Sequence, residues 1–296
     1  MRQIFIVLLN FCCIGLNAQN HVVRRQGAKK ETKTRHSTTK RATNSSKSKT
    51  SSSNSTPHQI NASYSYGVLT VNDVRYEMVK VEAGTFTMGA TPEMQAPNSD
   101  EKPAHQVTLT NNYYMGKTEV TQALWGVVMG NNPSNFKGDD KPVESVSWND
   151  CQTFISKLNR ATGKNFRLPT EAEWEFAARG GNKSRHYQYS GSSYLGDVAW
   201  YYDNSGSTTH AVATKQPNEL GLYDMSGNVW EWCQDWYGDY SSTAQTNPTG
   251  AYGGSHRVSR GGCWGNDAGS CRSSYRSYGG PGYRYNDLGF RLALSE

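Results

Sequence analysis

Beyond residue 66 the chain holds all 8 of its tryptophans, yet no apolar period there outlasts SWNDCQTFISKLNRATG at 147–163. Large aromatic residues are mostly buried, so a chain patterned this way has to pack them between short elements and loops. Three short helices are predicted. TEVTQALWGVVMG lines up Val120, Leu124, Trp125, Val128 and Met129 and stops at Gly130. SWNDCQTFISKLNRATG opens on a Ser147/Asp150 capping pair and aligns Trp148, Cys151, Phe154, Ile155 and Leu158, which makes Cys151 a core thiol. RLPTEAEWEFAARGG has Pro169, a Thr170/Glu173 capping box and a glycine stop at Gly180. The strand-like runs RYEMVKVEAGTFTMG and HQVTLTNNYYMG are short and punctuated, loops dominate after Gly180, and no internal repeat is evident.

The first 66 residues cannot join that core. MRQIFIVLLNFCCIGLNA, residues 1–18, has a basic start, an apolar run too short to span a bilayer and an Asn-Ala finish, the pattern of a cleaved secretory signal. An extracytoplasmic, secreted or cell-surface protein is therefore expected. Residues 19–66 form a Ser/Thr-rich basic tether with ten Lys or Arg, one acid and almost nothing apolar. Such a segment reads as a solvated tether, or as one that attaches electrostatically to an anionic surface. The whole chain is +6, but removing Arg2 and the tether's charges leaves 20 Lys and Arg against 24 Asp and Glu, a net of −4. The basic balance belongs to the tether, and no nucleic-acid partner is expected. Four cysteines remain after the signal: Cys151, Cys233, Cys263 and Cys271.

A series of motifs runs in order along residues 67–296: GTFTMG, EKPAHQVTL, TEVTQALW, PVESVSWNDC, FRLPTEAEWEFAARGG, PNELGLYDMSGNVWEWCQDW, RVSRGGCW and LGFRLA. Together they resemble the formylglycine-generating enzyme family, also called the sulfatase-modifying-factor domain. That resemblance implies an α+β variant of the C-type-lectin fold with little regular secondary structure. Members that oxidise cysteine hold Cu(I) between two cysteines just after an RGGS-type turn, because the soft ion prefers thiolates. Here Cys263 takes the serine position of the turn and Cys271 lies eight residues on, so the catalytic pair is not recognisable and copper is not expected. Cys263 and Cys271 remain the weak catalytic candidates. The histidines are scattered singly, and no HExxH, GxSxG or phosphate-binding loop is present.

The same resemblance places a calcium ion on Asp224, the carbonyls of Gly227 and Val229, and Glu231, with a weaker second site at Asp197 and Val198. Hard oxygen ligands around a glycine turn suit that ion, although Asp224 and Glu231 could equally hydrogen-bond a tight turn. Cys233 and Cys271 both belong to the family's framework motifs and are expected to pair as a disulfide.

The tail departs from an ordinary loop. Between framework residues such as Arg260, Arg272, Arg276 and Arg291, eighteen positions from 263 to 287 hold only Asn, Ser, Asp, Gly, Tyr and Cys. Those six are what asparagine codons yield when adenines stay or become guanine or thymine. The tail thus resembles the variable region of proteins diversified by retroelements. Loop composition is the plainer explanation, but it would admit Thr, Lys, Glu or Gln somewhere in the set. Tyrosine with small polar residues is also a paratope composition. The expected function is binding of a protein or glycan ligand through Trp264, Asn266, Asp267, Tyr275, Tyr278, Tyr283, Tyr285 and Asn286. Trp264 could equally be core, and a copper-dependent formylglycine-generating oxidase is the alternative.

Overall fold

The structure is a computed structural model and describes residues 59–296. The expected signal at 1–18 and most of the expected tether lie outside the described residues. No described helix is long and apolar enough to cross a membrane.

The three expected helices form where their caps fix them. In α1 (Gln122–Met129) the Thr121 hydroxyl accepts from Leu124 N–H, and left-handed Gly130 closes the end. The Ser147/Asp150 box opens α2 (Trp148–Thr162) and Gly163 ends it. The Thr170/Glu173 box opens α3 (Glu171–Ala178), whose last turn gives way to left-handed Gly180. A single helical turn, α4, spans Leu195–Val198.

Strands are short and mostly paired over long sequence distances. Six form one sheet in the order Ala62–Ser65, Val68–Val71, Val74–Val81, Tyr113–Gly116, Ala293–Ser295, Phe166–Arg167. Three more, Gly84–Met88, His105–Leu109 and Gln245–Thr246, make a small second sheet. The third sheet is the one that positions the site. Its strand Trp230–Trp236 lies between Arg257–Arg260, antiparallel with Arg260 opposite Glu231, and Leu288–Gly289, parallel with Gly289 opposite Glu231; Arg276–Gly279 adds the edge.

The apolar face of α2 meets the first sheet in the larger core. Phe154 stacks on Trp125 at 5.3 Å and meets Phe290 edge-on at 5.4 Å. Cys151 is fully buried beside them, as its helical position predicts. A second core gathers Trp174 and Phe176 of α3 with Val107, Tyr113, Cys233 and Val258. Side chains alternate along a strand, which is why Trp232 enters the first core and Cys233 the second.

Two expectations are corrected. The folded unit begins before residue 67, because Ala62–Ser65 pairs with Val68–Val71 across a turn whose residues Tyr66 and Gly67 both have positive φ (50° and 77°). Tyr64 secures that hairpin edge-on against Phe166 at 5.6 Å. The Cys233–Cys271 disulfide is absent: all four described cysteines are free and buried. Cys233 packs in the core around Trp174, whereas Cys271 packs with Tyr189, Leu195, Val198 and Ala199. Burial pushes the Cys271 thiol up to about 12 and raises Cys151 and Cys233 as well. Protonated, enclosed thiols react slowly. Iodoacetamide at neutral pH should therefore leave Cys151, Cys233, Cys263 and Cys271 unlabelled in the native protein and label all four in guanidinium without reductant. Two that stay unlabelled after denaturation would restore the disulfide.

Candidate functional site

The site grows from Glu231 at the centre of the third sheet. Its Oε1 accepts from Arg291 Nη2 at 2.6 Å, and its Oε2 accepts from Arg291 Nε and from the Trp174 indole, both at 2.7 Å. Arg291 also donates to the carbonyls of Gly116 and Tyr223. Both partners are fully buried. Three more arginines of the tail are held alike. Arg260 meets Glu171 and Glu175 of α3 and donates to the carbonyls of Ser273 and Ser274. Arg272 makes a two-pronged pair with Glu101 at 2.7 and 2.8 Å. Arg276 pairs with Glu171 at 2.7 and 2.9 Å and reaches the carbonyls of Asp100 and Gly238. Burial alone would raise the Glu171 carboxyl, but the Arg276 and Arg260 charges hold it below its ordinary range.

The turn 224–231 braces the start of the tail. Gly227 N–H donates to Gly261 O at 2.8 Å, Trp264 N–H donates to Asn228 O at 2.9 Å, and the Ser226 hydroxyl donates to Cys271 O at 2.8 Å. Gly261 and Gly262 have φ of 99° and 76°, and a Cβ on Gly262 would lie 2.7 Å from Cys271 Sγ. Only glycine fits that corner.

Cys263 and Cys271 share this neighbourhood. Cys263 Sγ lies 3.0 Å from Asn266 Oδ1 and 3.6 Å from Asp287 Oδ2, positioned to donate to either. Burial, then the Asp287 charge, pushes its thiol far up. Cys263 Sγ is a hydrogen-bonded thiol and Cys271 Sγ a fully buried one, a poor fit to the paired thiolates of a Cu(I) centre.

The calcium set fits in part. Asp224 is buried with positive φ; Oδ2 accepts from Ala213 N–H at 2.7 Å, and Oδ1 has no protein partner. Glu231, by contrast, is committed to Arg291 and Trp174. Asp197 is exposed, with Oδ2 accepting from the Ser192 hydroxyl, while Val198 is core. Among the described residues no three His, Cys, Asp or Glu side chains form a metal cluster. Glu119, which no motif reading singled out, is fully buried with both carboxylate oxygens unpartnered. Burial, reinforced by Asp224 and Glu231, pushes its carboxyl far up, and burial brings Asp224 to about 6.

The expected ligand face is divided by burial. Tyr278, Tyr283 and Tyr285 are 53%, 52% and 53% exposed, and Asp267 is exposed. Asn266, Asn286, Tyr275 and Trp264 are half-buried: Tyr275 lies 5.9 Å from Trp230, and Trp264 packs edge-on against Phe136 at 5.4 Å and donates its indole N–H to Asn286 O. Cys263, Ser273, Ser274 and Gly279 are buried. The eighteen positions are therefore not one continuous surface.

Residues 69–296 match the sulfatase-modifying factor enzyme 1-like domain. The chain belongs to that family. It is 34% identical to the chaperone protein LppX of Paenibacillus barcinonensis over 73% of this chain and 87% of the relative. It is 31% identical to mouse formylglycine-generating enzyme over 73% and 74% of the two chains. The solved structure of Treponema denticola variable protein 1 is similar with a TM-score of 0.70 and 36% identity, covering 77% of this chain and 98% of that one. The sheet-rich, helix-poor, C-type-lectin-like fold of the sulfatase-modifying-factor family is thus the fold of this chain.

Breaking a fully buried ion pair leaves one charge uncompensated. Arg291→Met should destabilise this family member by about 3–5 kcal/mol in urea unfolding. Arg284→Ala removes a pair to Asp150 whose side chains are 54% and 28% exposed, and should cost under about 1 kcal/mol. Equal costs would show that the buried pair does not govern stability.

Proposed function

We propose that the chain is a secreted ligand-binding protein on a sulfatase-modifying-factor scaffold, with the exposed part of the tail as its recognition surface. The observation that carries this reading is the set of three half-exposed tyrosines, Tyr278, Tyr283 and Tyr285, on a segment anchored by the buried arginines Arg260, Arg272, Arg276 and Arg291. Tyr278 leans on Tyr237 at 4.3 Å and His256 at 5.2 Å, and Tyr283 meets Tyr285 edge-on at 5.9 Å. Rings braced in advance lose little freedom on binding, and tyrosine offers both apolar area and a hydroxyl. The restricted residue set from 263 to 287, and the likeness to a Treponema protein named for its variability, support a tail diversified by a retroelement. The ligand class is a protein or glycan, and the basic tether would hold the domain near an anionic surface.

A second reading, oxidation of a protein cysteine to formylglycine, is favoured by the likeness to the mouse enzyme. The two separate under direct assay. A sulfatase-type CxPxR peptide incubated in air with the Cu(I)-treated protein should keep its cysteine by mass spectrometry; conversion to the aldehyde, abolished in Cys271→Ser, would establish the oxidase. For recognition, Tyr278→Ala, Tyr283→Ala and Tyr285→Ala should hold the melting temperature within a few degrees, since surface changes cost about 0.5 kcal/mol or less. Against a ligand selected from a protein or glycan array, the same changes should weaken binding by about 1–3 kcal/mol where the ring is a hot spot. Wild-type affinity in all three would place recognition elsewhere.

A further inference from the structure

We propose that the cavity beside Asp235 is a second binding site, one that takes a primary alkylammonium group. It lies apart from the tyrosine surface and does not depend on it. The cavity holds about 140 Å³ where the second and third sheets meet, and its walls include Met88, His105, Asp235, Trp236, Tyr240 and Gln245. A void of ~150 Å³ admits benzene, so an ammonium and a few methylenes fit. Asp235 is 3% exposed; its Oδ2 accepts from Glu171 N–H at 2.9 Å, and its Oδ1 has no hydrogen bond to a described residue. Arg276, the guanidinium that shares the cavity wall, is held by both oxygens of Glu171 and by the carbonyls of Asp100 and Gly238. Accepting from one N–H at the start of α3 needs an oxygen, which an uncharged asparagine supplies as well. The charge of Asp235 is left without a counter-ion. Burial, reinforced by the Glu171 charge, pushes its carboxyl far above the ordinary range, and an arriving cation supplies the missing partner.

His105 adds a second acceptor to the same walls. It is 7% exposed, and its Nδ1–H donates to Pro103 O at 3.1 Å, which leaves Nε2 as the lone-pair nitrogen of the neutral ring. The ring meets Tyr240 edge-on at 5.0 Å. An anionic guest would face Asp235, Glu171 and exposed Asp239, all of which line the cavity, so charge selects a cation. A primary ammonium brings three N–H donors on a narrow apolar stem, and the aromatic walls favour both parts of it. Such a group comes as a free amine or as a lysine side chain.

The test is calorimetric titration of the full chain, in amine-free phosphate buffer at neutral pH, with n-butylammonium, with N-acetyl-lysine methylamide and with uncharged n-butanol. The wild type should bind at least one of the two amines saturably at one site per chain and should not bind butanol. Asp235→Asn keeps the acceptor for Glu171 N–H and should weaken amine binding by about thirtyfold or more. Binding of both amines assigns a site open to lysine side chains, and binding of n-butylammonium alone assigns a free amine. A wild type that binds neither amine, or an Asp235→Asn protein that binds them like wild type, overturns the proposal. Should Asp235→Asn fail to fold, the His105 imidazole nitrogen resonances of the wild type decide: they should move with the amine that binds and stay put with butanol, and equal response to the two counts against the site. Tyr278→Ala should keep full amine binding, so failure of the recognition reading shows elsewhere.

Discussion

Four arginines buried against carboxylates hold the C-terminal segment 260–291 in place. Arg260, Arg272, Arg276 and Arg291 reach Glu171, Glu175, Glu101 and Glu231 from a segment that has few large apolar side chains of its own. Glycine, serine and asparagine cannot bury enough apolar area to offset the entropy of ordering such a chain. The ion pairs do not have to be more stabilising than a well-packed hydrophobic replacement would be. What they supply is geometry, since a guanidinium fork fixes direction as well as distance.

The helices were legible in the sequence because their information is local. Thr170/Glu173 and Ser147/Asp150 are three residues apart, and Gly130 and Gly163 mark ends by their own conformational freedom. The sheets were not legible from periodicity. Leu288–Gly289 is a strand of two residues whose partner lies at Trp230–Glu231, and no local pattern encodes that pairing. Fold recognition rested on the ordered motifs, several of which turn out to contain the buried ion partners.

At the site the same division holds. Tyr278, Tyr283 and Tyr285 were readable as exposed because they stand among glycines without an apolar period, whereas Tyr275 packs half-buried against Trp230. Ser273 and Ser274 were not readable as buried, because serine suits either environment and their carbonyls, which serve Arg260, leave no mark on residue identity. Glu119 looked like an ordinary acid at the head of a helix; its neighbour Asp224 is far along the chain, and only the fold brings the two together. The cysteine pairing failed for a related reason. Membership of two framework motifs does not say which side of its strand Cys233 faces, or into which core the short 3-10 turn at Ala268–Cys271 points its thiol.

Much of the tail's attachment passes through the peptide backbone. Arg260 grips the carbonyls of Ser273 and Ser274, Asn149 and Ser145 donate to the carbonyls of Pro281 and Tyr285, and Tyr202 donates to that of Asn266. Every residue type presents the same carbonyl. These contacts are therefore blind to whichever side chains stand at 273 and 285, whereas Asn266 and Ser274 also bond through their side chains, to Cys263 and to Glu101. If the tail is the recognition surface proposed above, a lineage could sample many such surfaces on one unchanged chassis, with its mutational freedom set by peptide geometry and its limits set by glycine corners such as Gly262 and by the enclosed serines.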